Sequence, residues 1–402
     1  MKRLFCAAML SLLAIGASSC REGAADNKAT IAATDPDPAI NAPDETAWRT
    51  FVAVVTPAAA GGPATFETWA SDDETFRPNA TWPTDGGGIE PRTARPTLAV
   101  AGHRETAEPP AGIQPDTLHN AASEEVRRNR PAFDYIVGNN LNSVSGLQAA
   151  YRNAMAVSFP TESVEVKTNW LPLDQLARYY PAEMAADPAR YFYIARDAAG
   201  QQHALLSMHV ISKEVPNWTW ATFEHQATPG RCDIIGCRDS FGAQVAFVAP
   251  AASPEGNYGP CAHTDALQAL FREAGLSEVF GNYCLKGSQT DFTDATGLAI
   301  RLGNSITEGG FVDSSSCMTC HATASWQANG QPSDAAGNVP IGPVPATIYW
   351  TGGGTPPYQG GPGLARVSLP ADFVWSIPFC AYVDVSPSGQ PQPPQPSRCA
   401  KK

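Results

Sequence analysis

Cysteine placement restricts the fold of this chain more than any other feature of its sequence. The chain has ten cysteines among 402 residues, and they fall into separate groups. Cys6 and Cys20 lie near the amino terminus, whereas Cys317 and Cys320 are separated by two residues and are followed directly by His321. The remaining six are Cys232, Cys237, Cys261, Cys284, Cys380 and Cys399. An even remainder is typical of disulfide bonds if the chain reaches an oxidising compartment.

Disulfide connectivity cannot be deduced from sequence alone. Proximity along the chain favours Cys232 with Cys237, Cys261 with Cys284, and Cys380 with Cys399.

The amino terminus has the pattern of a secretory signal peptide over residues 1–20. Lys2 and Arg3 precede an apolar run over residues 4–15, and small residues at 16–19 lead to Cys20. The apolar run is too short to cross about 30 Å of bilayer hydrocarbon, so it indicates a cleaved export signal. We therefore expect a periplasmic location, in which disulfide bonds can form.

The residues before Cys20 are similar to a bacterial lipobox, in which the cysteine is lipidated and becomes the new amino terminus. Ala17 stands where such motifs usually have leucine. We expect a lipoprotein whose residues 21–43 are a flexible tether, because two acyl chains anchor a protein stably. The alternative is ordinary cleavage nearby, for example after Ala25, with Cys20 discarded.

Length, composition and net charge limit the possible structure and partners of the rest of the chain. Residues 44–386 are long enough for a globular domain with a sizeable core, and residues 387–402 form a proline-rich tail. The net charge of -12 argues against nucleic acid or an anionic membrane surface as partners. An acidic surface is compatible with a basic redox partner protein.

Hydrophobic patterning predicts an α+β fold. Helical spacing occurs at residues 44–55 and again at residues 264–276. Between them, β-branched and aromatic residues concentrate in four short segments. These segments are residues 163–170, 191–196, 203–211 and 218–225. They predict an antiparallel sheet in the middle of the chain, with helices at its periphery.

The motif CxxCH at residues 317–321 is the attachment signature of c-type haem. Two thiols at this spacing add across the haem vinyl groups, and the adjacent imidazole reaches the iron from the proximal side. Cys317 and Cys320 are therefore predicted to hold one covalent haem c, with His321 as the proximal iron ligand. The alternatives are a structural disulfide between the two cysteines, or half of a zinc site without a second ligand pair nearby.

A distal iron ligand is harder to identify, because neither Met nor His follows His321. A ligand of either type must come from upstream, where an aromatic-rich stretch could wall a haem. The candidates are His225, His209 and Met208. On a strand, Met208 and His209 point to opposite faces, so only one of them can approach a given site. Alternatively, these residues belong to an ordinary core.

Several segments together resemble a family of uncharacterised exported bacterial c-type cytochrome domain proteins. They are residues 45–55 with Trp48 and Phe51, 66–76 with Trp69, 164–170 with Lys167, 208–225, and 314–321. The resemblance covers most of the mature chain in patches. It implies haem attachment and electron transfer, and it implies no particular substrate.

Three functions remain open from the sequence. The first is a monohaem electron carrier with His321 proximal and His225 or His209 distal. The second is a peroxidase- or oxidase-like haem enzyme, or a gas-binding protein, with an open iron position beside His225, Glu224 or Arg231. The third is a disulfide-stapled binding module without haem. An electron carrier is favoured over a catalyst.

Overall fold

The computed structural model describes residues 36–84, 88–90, 118–250, 258–333, 339–351, 365–386, 389–395, 397 and 399. The predicted signal peptide, Cys20 and most of the predicted tether lie outside the described residues. Within the described ranges, none of the helices combines the length and the apolar composition needed to cross a bilayer.

The helices of the described residues are mostly short. They are α1 (Pro36–Asn41), α2 (Pro43–Val55), α3 (Asp72–Thr75), α4 (Leu118–Ala121), α5 (Arg130–Gly138), α6 (Val144–Arg152), α7 (Ala182–Ala186), α8 (Pro188–Tyr191), α9 (Asp265–Glu273), α10 (Cys317–Ala322) and α11 (Ser376–Cys380). α2 and α9 lie where the sequence predicted helices. α1 occupies the last part of the predicted tether.

The strands are β1 (Ala70–Ser71), β2 (Ser123–Arg128), β3 (Val164–Pro172), β4 (Ile194–Arg196), β5 (Gln202–Ser212), β6 (Thr219–His225), β7 (Cys237–Arg238), β8 (Phe247–Val248), β9 (Tyr283–Gln289), β10 (Ser325–Gln327), β11 (Trp350–Thr351), β12 (Ala365–Arg366), β13 (Ser368–Pro370), β14 (Val383–Val385) and β15 (Pro391–Gln395). The four predicted strand segments correspond to β3, β4, β5 and β6.

A seven-stranded antiparallel sheet forms the centre of the molecule, in the order β1-β2-β3-β5-β6-β9, with β4 paired to β5. The predicted α+β fold is therefore confirmed. In the middle of the sheet, Lys167 of β3 lies opposite His209 of β5, which lies opposite Thr222 of β6. This register places the three side chains on one face, because side chains alternate along each strand.

Each face of the sheet covers a different core. Val166, Met208 and Phe223 lie on one face with Trp48 and Phe51 of α2, and we call this the α2 face. The opposite face carries Ile211 and Trp220, which pack into a core that includes Met318 of α10, and we call it the α10 face. The CxxCH motif and the first predicted helix therefore lie on opposite sides of one sheet.

The sequence did not predict strand β2, because its residues, SEEVRR, are mostly charged and do not alternate with apolar residues. Its arginines are nevertheless buried, and each has a carboxylate partner. Arg128 pairs with Asp72 and with Glu165, whose carboxylate lies 3.1 Å from its Nε atom. Ion pairing thus lets a charged segment form an interior strand.

Three disulfides join the pairs that proximity favoured: Cys232–Cys237, Cys261–Cys284 and Cys380–Cys399. The last of these fixes the end of the predicted proline-rich tail to α11. Within that tail, β15 pairs antiparallel with β14.

Replacing Arg128 tests the role of buried charge in the sheet. Arg128→Met leaves Asp72 and Glu165 buried without their cation, so we expect the free energy of unfolding to fall by about 3–5 kcal/mol. Arg130→Met is a matched control, because Arg130 is exposed and its i,i+4 pair with Asp134 contributes about 0.5 kcal/mol. Urea unfolding measures both. Equal stability of the two variants would contradict the assigned role of Arg128.

Candidate functional site

Helix α10 brings the residues of the CxxCH motif together. Ser316 caps the helix, and its side chain accepts a hydrogen bond from the backbone amide of Thr319. Positions i, i+3 and i+4 of a helix lie on one face, so Cys317, Cys320 and His321 share a face of α10. On a helix, the spacing of these residues therefore places two thiols and one imidazole on the same side.

Both thiols of the motif are unbridged, whereas the six other cysteines among the described residues are in disulfides. Burial raises the pKa of Cys317 well above its ordinary value, and it raises that of Cys320 to about 11. Catalytic redox cysteines instead have a lowered pKa, which supplies a thiolate. The environment at α10 is therefore unlike that of a thiol–disulfide exchange site.

A zinc site at α10 also lacks structural support. Zinc requires four ligands gathered within a few ångströms. Among the described residues, Cys317, Cys320 and His321 do not belong to any group of three or more potential ligand atoms that lie within 4.8 Å of one another. Asp72 does lie in such a group with Cys380 and Cys399, but both of those sulfurs are in a disulfide.

The imidazole of His321 is oriented by a single backbone contact. Its Nδ1 atom lies 2.8 Å from the carbonyl oxygen of Phe373. A carbonyl only accepts, so Nδ1 carries the proton and Nε2 keeps its lone pair. Burial lowers the pKa of His321 to about 4, which keeps the ring neutral at pH 7. A neutral imidazole with a free Nε2 and a hydrogen-bonded Nδ1 is the state that ligates a metal.

The carbonyl that orients His321 belongs to a turn with unusual backbone geometry. Asp372 and Phe373 both have positive φ, at 47° and 70°, in the region that favours glycine. The turn is held because the Asp372 carboxylate accepts hydrogen bonds from Lys213 Nζ at 2.7 Å and from the Phe159 amide at 2.7 Å. Strained backbone of this kind is maintained where the surrounding structure fixes it, often at functional sites.

Aromatic side chains wall the motif. The ring of Trp220, on the α10 face of β6, has its centroid 4.6 Å from that of His321. Trp375 donates from Nε1 to the carbonyl oxygen of Cys320 at 3.2 Å. Apolar and aromatic surroundings are what a haem macrocycle requires of a protein.

Of the three candidates for a distal ligand, the structure places only His209 on the α10 face. Its Nε2 atom lies 3.0 Å from Nδ2 of Asn304 and 3.5 Å from Oε2 of Glu308. Burial would raise the pKa of Glu308, but the neighbouring His209 holds it at about 2. His209 also lies close enough to His321 to contribute to lowering the pKa of that imidazole.

Met208 and His225 point to the other side of the sheet. Met208 is fully buried in the core of the α2 face. The His225 ring stacks on Phe192 at a centroid distance of 4.0 Å. Its Nε2 donates to the carbonyl oxygen of Tyr191, and its Nδ1 accepts from the amide of Ala227. The structure does not bring either side chain to α10, because strand alternation separates them from His209.

The other proposed distal groups also have partners elsewhere. Glu224 forms a fully buried ion pair with Lys286 and accepts a hydrogen bond from the Ser305 amide at 2.9 Å. Arg231 contacts the Cys232–Cys237 disulfide. Among the described residues, neither side chain forms a hydrogen bond or an ion pair with the motif.

The sequence did not predict that the loop after β9 contributes to the site. Asn304 accepts from the amides of Ile306 and Thr307, which forms a local turn, and Glu308 reaches back to the Asn304 amide. The turn brings Asn304 and Glu308 onto His209. An Asn that opens a loop is a recognisable turn signal, but no sequence pattern connects this loop with β5.

Comparisons with protein-family models, curated proteins and solved structures gave no significant match to this chain. We therefore infer the function from the geometry and the chemistry of the site.

Replacing Trp220 tests the buried state of His321. In the haem-free, reduced chain, we expect the pKa of His321 to be about 4, since burial disfavours the charged ring. Trp220→Ala removes the adjoining ring, so the pKa should rise toward the ordinary value near 6.5. An NMR titration of the imidazole protons measures this. Trp82→Ala, which removes a ring packed on Phe133, is the control and should leave the His321 pKa unchanged. A His321 pKa near 6.5 in the unaltered chain would contradict the assignment.

Proposed function

We propose that this protein is a monohaem c-type cytochrome that carries electrons in the periplasmic space. The observation that carries the proposal is the hydrogen bond from His321 Nδ1 to the Phe373 carbonyl, on a helix whose two cysteines are unbridged. It supports proximal ligation because it directs the lone pair of Nε2 away from the backbone.

The residues of α10 would hold the haem, with Cys317 and Cys320 as the thioether attachment points and His321 as the proximal ligand. The bound group would supply a one-electron iron couple. Trp220 and Trp375 exclude water from the imidazole and from the backbone of the motif. A dry, apolar surround is one of the means by which a protein sets the potential of a haem.

His209 is the candidate for the sixth ligand. Asn304 and Glu308 contact its Nε2 atom, and its Nδ1 atom has no hydrogen-bond partner among the described residues. Asn304 Nδ2 is a donor and Glu308 Oε2 is an acceptor, so Nδ1 has a free lone pair only in the tautomer whose Nε2–H donates to Glu308. In that tautomer Nδ1 can ligate iron, and the loop holds the ring orientation. Ligation by two side chains favours electron transfer, because both stay in place as the iron charge changes.

A second candidate function is a haem enzyme or gas-binding protein with an open iron position. The observation that favours it is the pairing of His209 with Glu308 beside the motif. A carboxylate next to an imidazole can support proton transfer. In this function His209 and Glu308 take the role that the sequence had assigned to His225, Glu224 or Arg231.

The remaining parts of the proposal concern location and partners. We propose lipidation at Cys20, with attachment to the membrane through that anchor alone. The net charge of -12 supports a basic redox partner protein and no nucleic acid.

Covalent haem is the direct test of the proposal. Expressed with c-type haem maturation machinery, the chain should stain for haem on a denaturing gel. The double variant Cys317→Ser/Cys320→Ser should lose the stain, since no thioether can form. Cys232→Ser/Cys237→Ser is the matched control, which removes a pair of sulfurs elsewhere and should keep the stain. Absence of haem from the unaltered protein would leave the disulfide-stapled binding module as the function.

Visible spectra test the sixth ligand. With His209 ligated, the iron should be low-spin and indifferent to carbon monoxide, whereas His209→Ala should give a high-spin spectrum that shifts with carbon monoxide. His225→Ala is the matched control and should keep the low-spin spectrum, because His225 lies on the α2 face. A high-spin, carbon monoxide-sensitive spectrum before any substitution would favour the enzyme or gas-binding function. A low-spin spectrum retained in His209→Ala would contradict ligation by His209.

A further inference from the structure

Arg231 is a buried cation without an ion-pair partner. It is 4% exposed, and no described carboxylate lies within 4.0 Å of its guanidinium. The other buried lysines and arginines of the described residues each have one. They are Arg127, Arg128, Lys213 and Lys286. Arg231 thus differs from the other buried cations of the described residues, because it lacks a carboxylate partner.

The contacts that Arg231 does make are weak. Its Nη1 atom lies 3.4 Å from the sulfur of Cys232 and 3.7 Å from that of Cys237. Nη2 donates to the carbonyl oxygen of Gly259 at 3.4 Å, and Nε has no partner among the described atoms. Neutral sulfur is a poor acceptor. The guanidinium is compensated in part by the ring of Tyr258, whose centroid lies 5.9 Å from Cζ, and by the more distant Glu224 carboxylate. An uncompensated buried charge is costly, and burial accordingly lowers the pKa of Arg231.

Arg231 lines a cavity of about 200 Å³. Val248, Pro260 and Leu285 contribute apolar wall, and Val245, which is 63% exposed, connects the cavity to the surface. Asp239 is also in the lining, but its carboxylate accepts from Trp48 Nε1 and from the amides of residues 241 and 242. The cavity therefore combines one unpaired cation, apolar walls and an opening.

We propose that this cavity binds a small monocarboxylate, whose oxygens pair with the Arg231 guanidinium and whose short apolar tail contacts Val248 and Leu285. Arginine presents parallel N–H donors that match the two oxygens of a carboxylate. The free Nε and the weakly bonded Nη2 lie on one edge of the guanidinium and form such a fork. A volume of about 200 Å³ equals roughly seven waters at ~30 Å³ each, which suits a ligand of a few heavy atoms.

This site is separate from the CxxCH motif. Besides Arg231, its lining residues come from β7, the loop between β7 and β8, β8, β9 and the segment 258–262, and none of them belongs to α10. Haem attachment and carboxylate binding can therefore be tested independently.

Titration calorimetry of the full chain with sodium acetate, against sodium chloride at equal ionic strength, tests the proposal. We expect saturable heat from acetate alone. Arg231→Lys keeps the charge but loses the fork, so affinity should fall at least tenfold, and Arg231→Gln should abolish binding. Arg238→Gln is the matched control, since Arg238 is exposed and lies over Phe247. It should bind acetate as the unaltered chain does.

Three outcomes would overturn the proposal. The first is equal heat from acetate and chloride in the unaltered chain, and the second is undiminished affinity in Arg231→Lys. The third is acetate binding that emerges only in Glu255→Gln, a position outside the described residues, because the chain would then supply its own carboxylate. If Arg231→Gln fails to fold by near-UV circular dichroism, the Arg231→Lys comparison decides.

Discussion

The alternation of side chains along β5 is the constraint on which the rest of the structure depends. Met208 and Val210 face the core that contains α2, whereas His209 and Ile211 face the side that contains α10. A slip of one residue in register would exchange these two sets. The pairing of β5 with β3 and β6 therefore fixes an apolar core and the polar surroundings of the CxxCH motif in one step.

Burial keeps the thiols and the imidazole of the motif neutral, whereas the neighbouring His209 keeps Glu308 ionised. Neutral thiols, a neutral imidazole and an ionised Glu308 are all consequences of where the sheet and the loop after β9 lie around α10. The carbonyl of Phe373, presented by a strained turn, completes the arrangement by fixing the tautomer of His321. The site is thus held by backbone geometry as much as by side chains.

A second constraint is that most buried cations are paired with carboxylates, and several of these pairs join segments that are far apart in the chain. Strand β2 places two arginines inside. Arg128 pairs with Asp72 and Glu165 from other segments, and Arg127 pairs with Glu125 of β2 itself. Lys286 and Glu224 do the same between β9 and β6. Arg231 has no such carboxylate partner among the described residues, and it lines a cavity. Its positive charge makes the cavity suited to an anionic ligand.

The sequence by itself determined the strands β3 to β6, the helices α2 and α9 and the α+β class, because each depends on neighbouring residues. Proximity along the chain favoured the cysteine pairs, and the tertiary structure selected them. The spacing of the CxxCH residues is also set by the sequence, but they share a helix face only because the structure forms α10 there. The sequence did not predict β2, because its buried Arg128 is stabilised by Asp72 and Glu165, which are far away in the chain. Nor could it choose among His225, His209 and Met208, because strand register decides which of them faces α10. Tertiary structure made that choice, and it brought Glu308 to His209 and the Phe373 carbonyl to His321 through contacts between segments that are far apart in sequence.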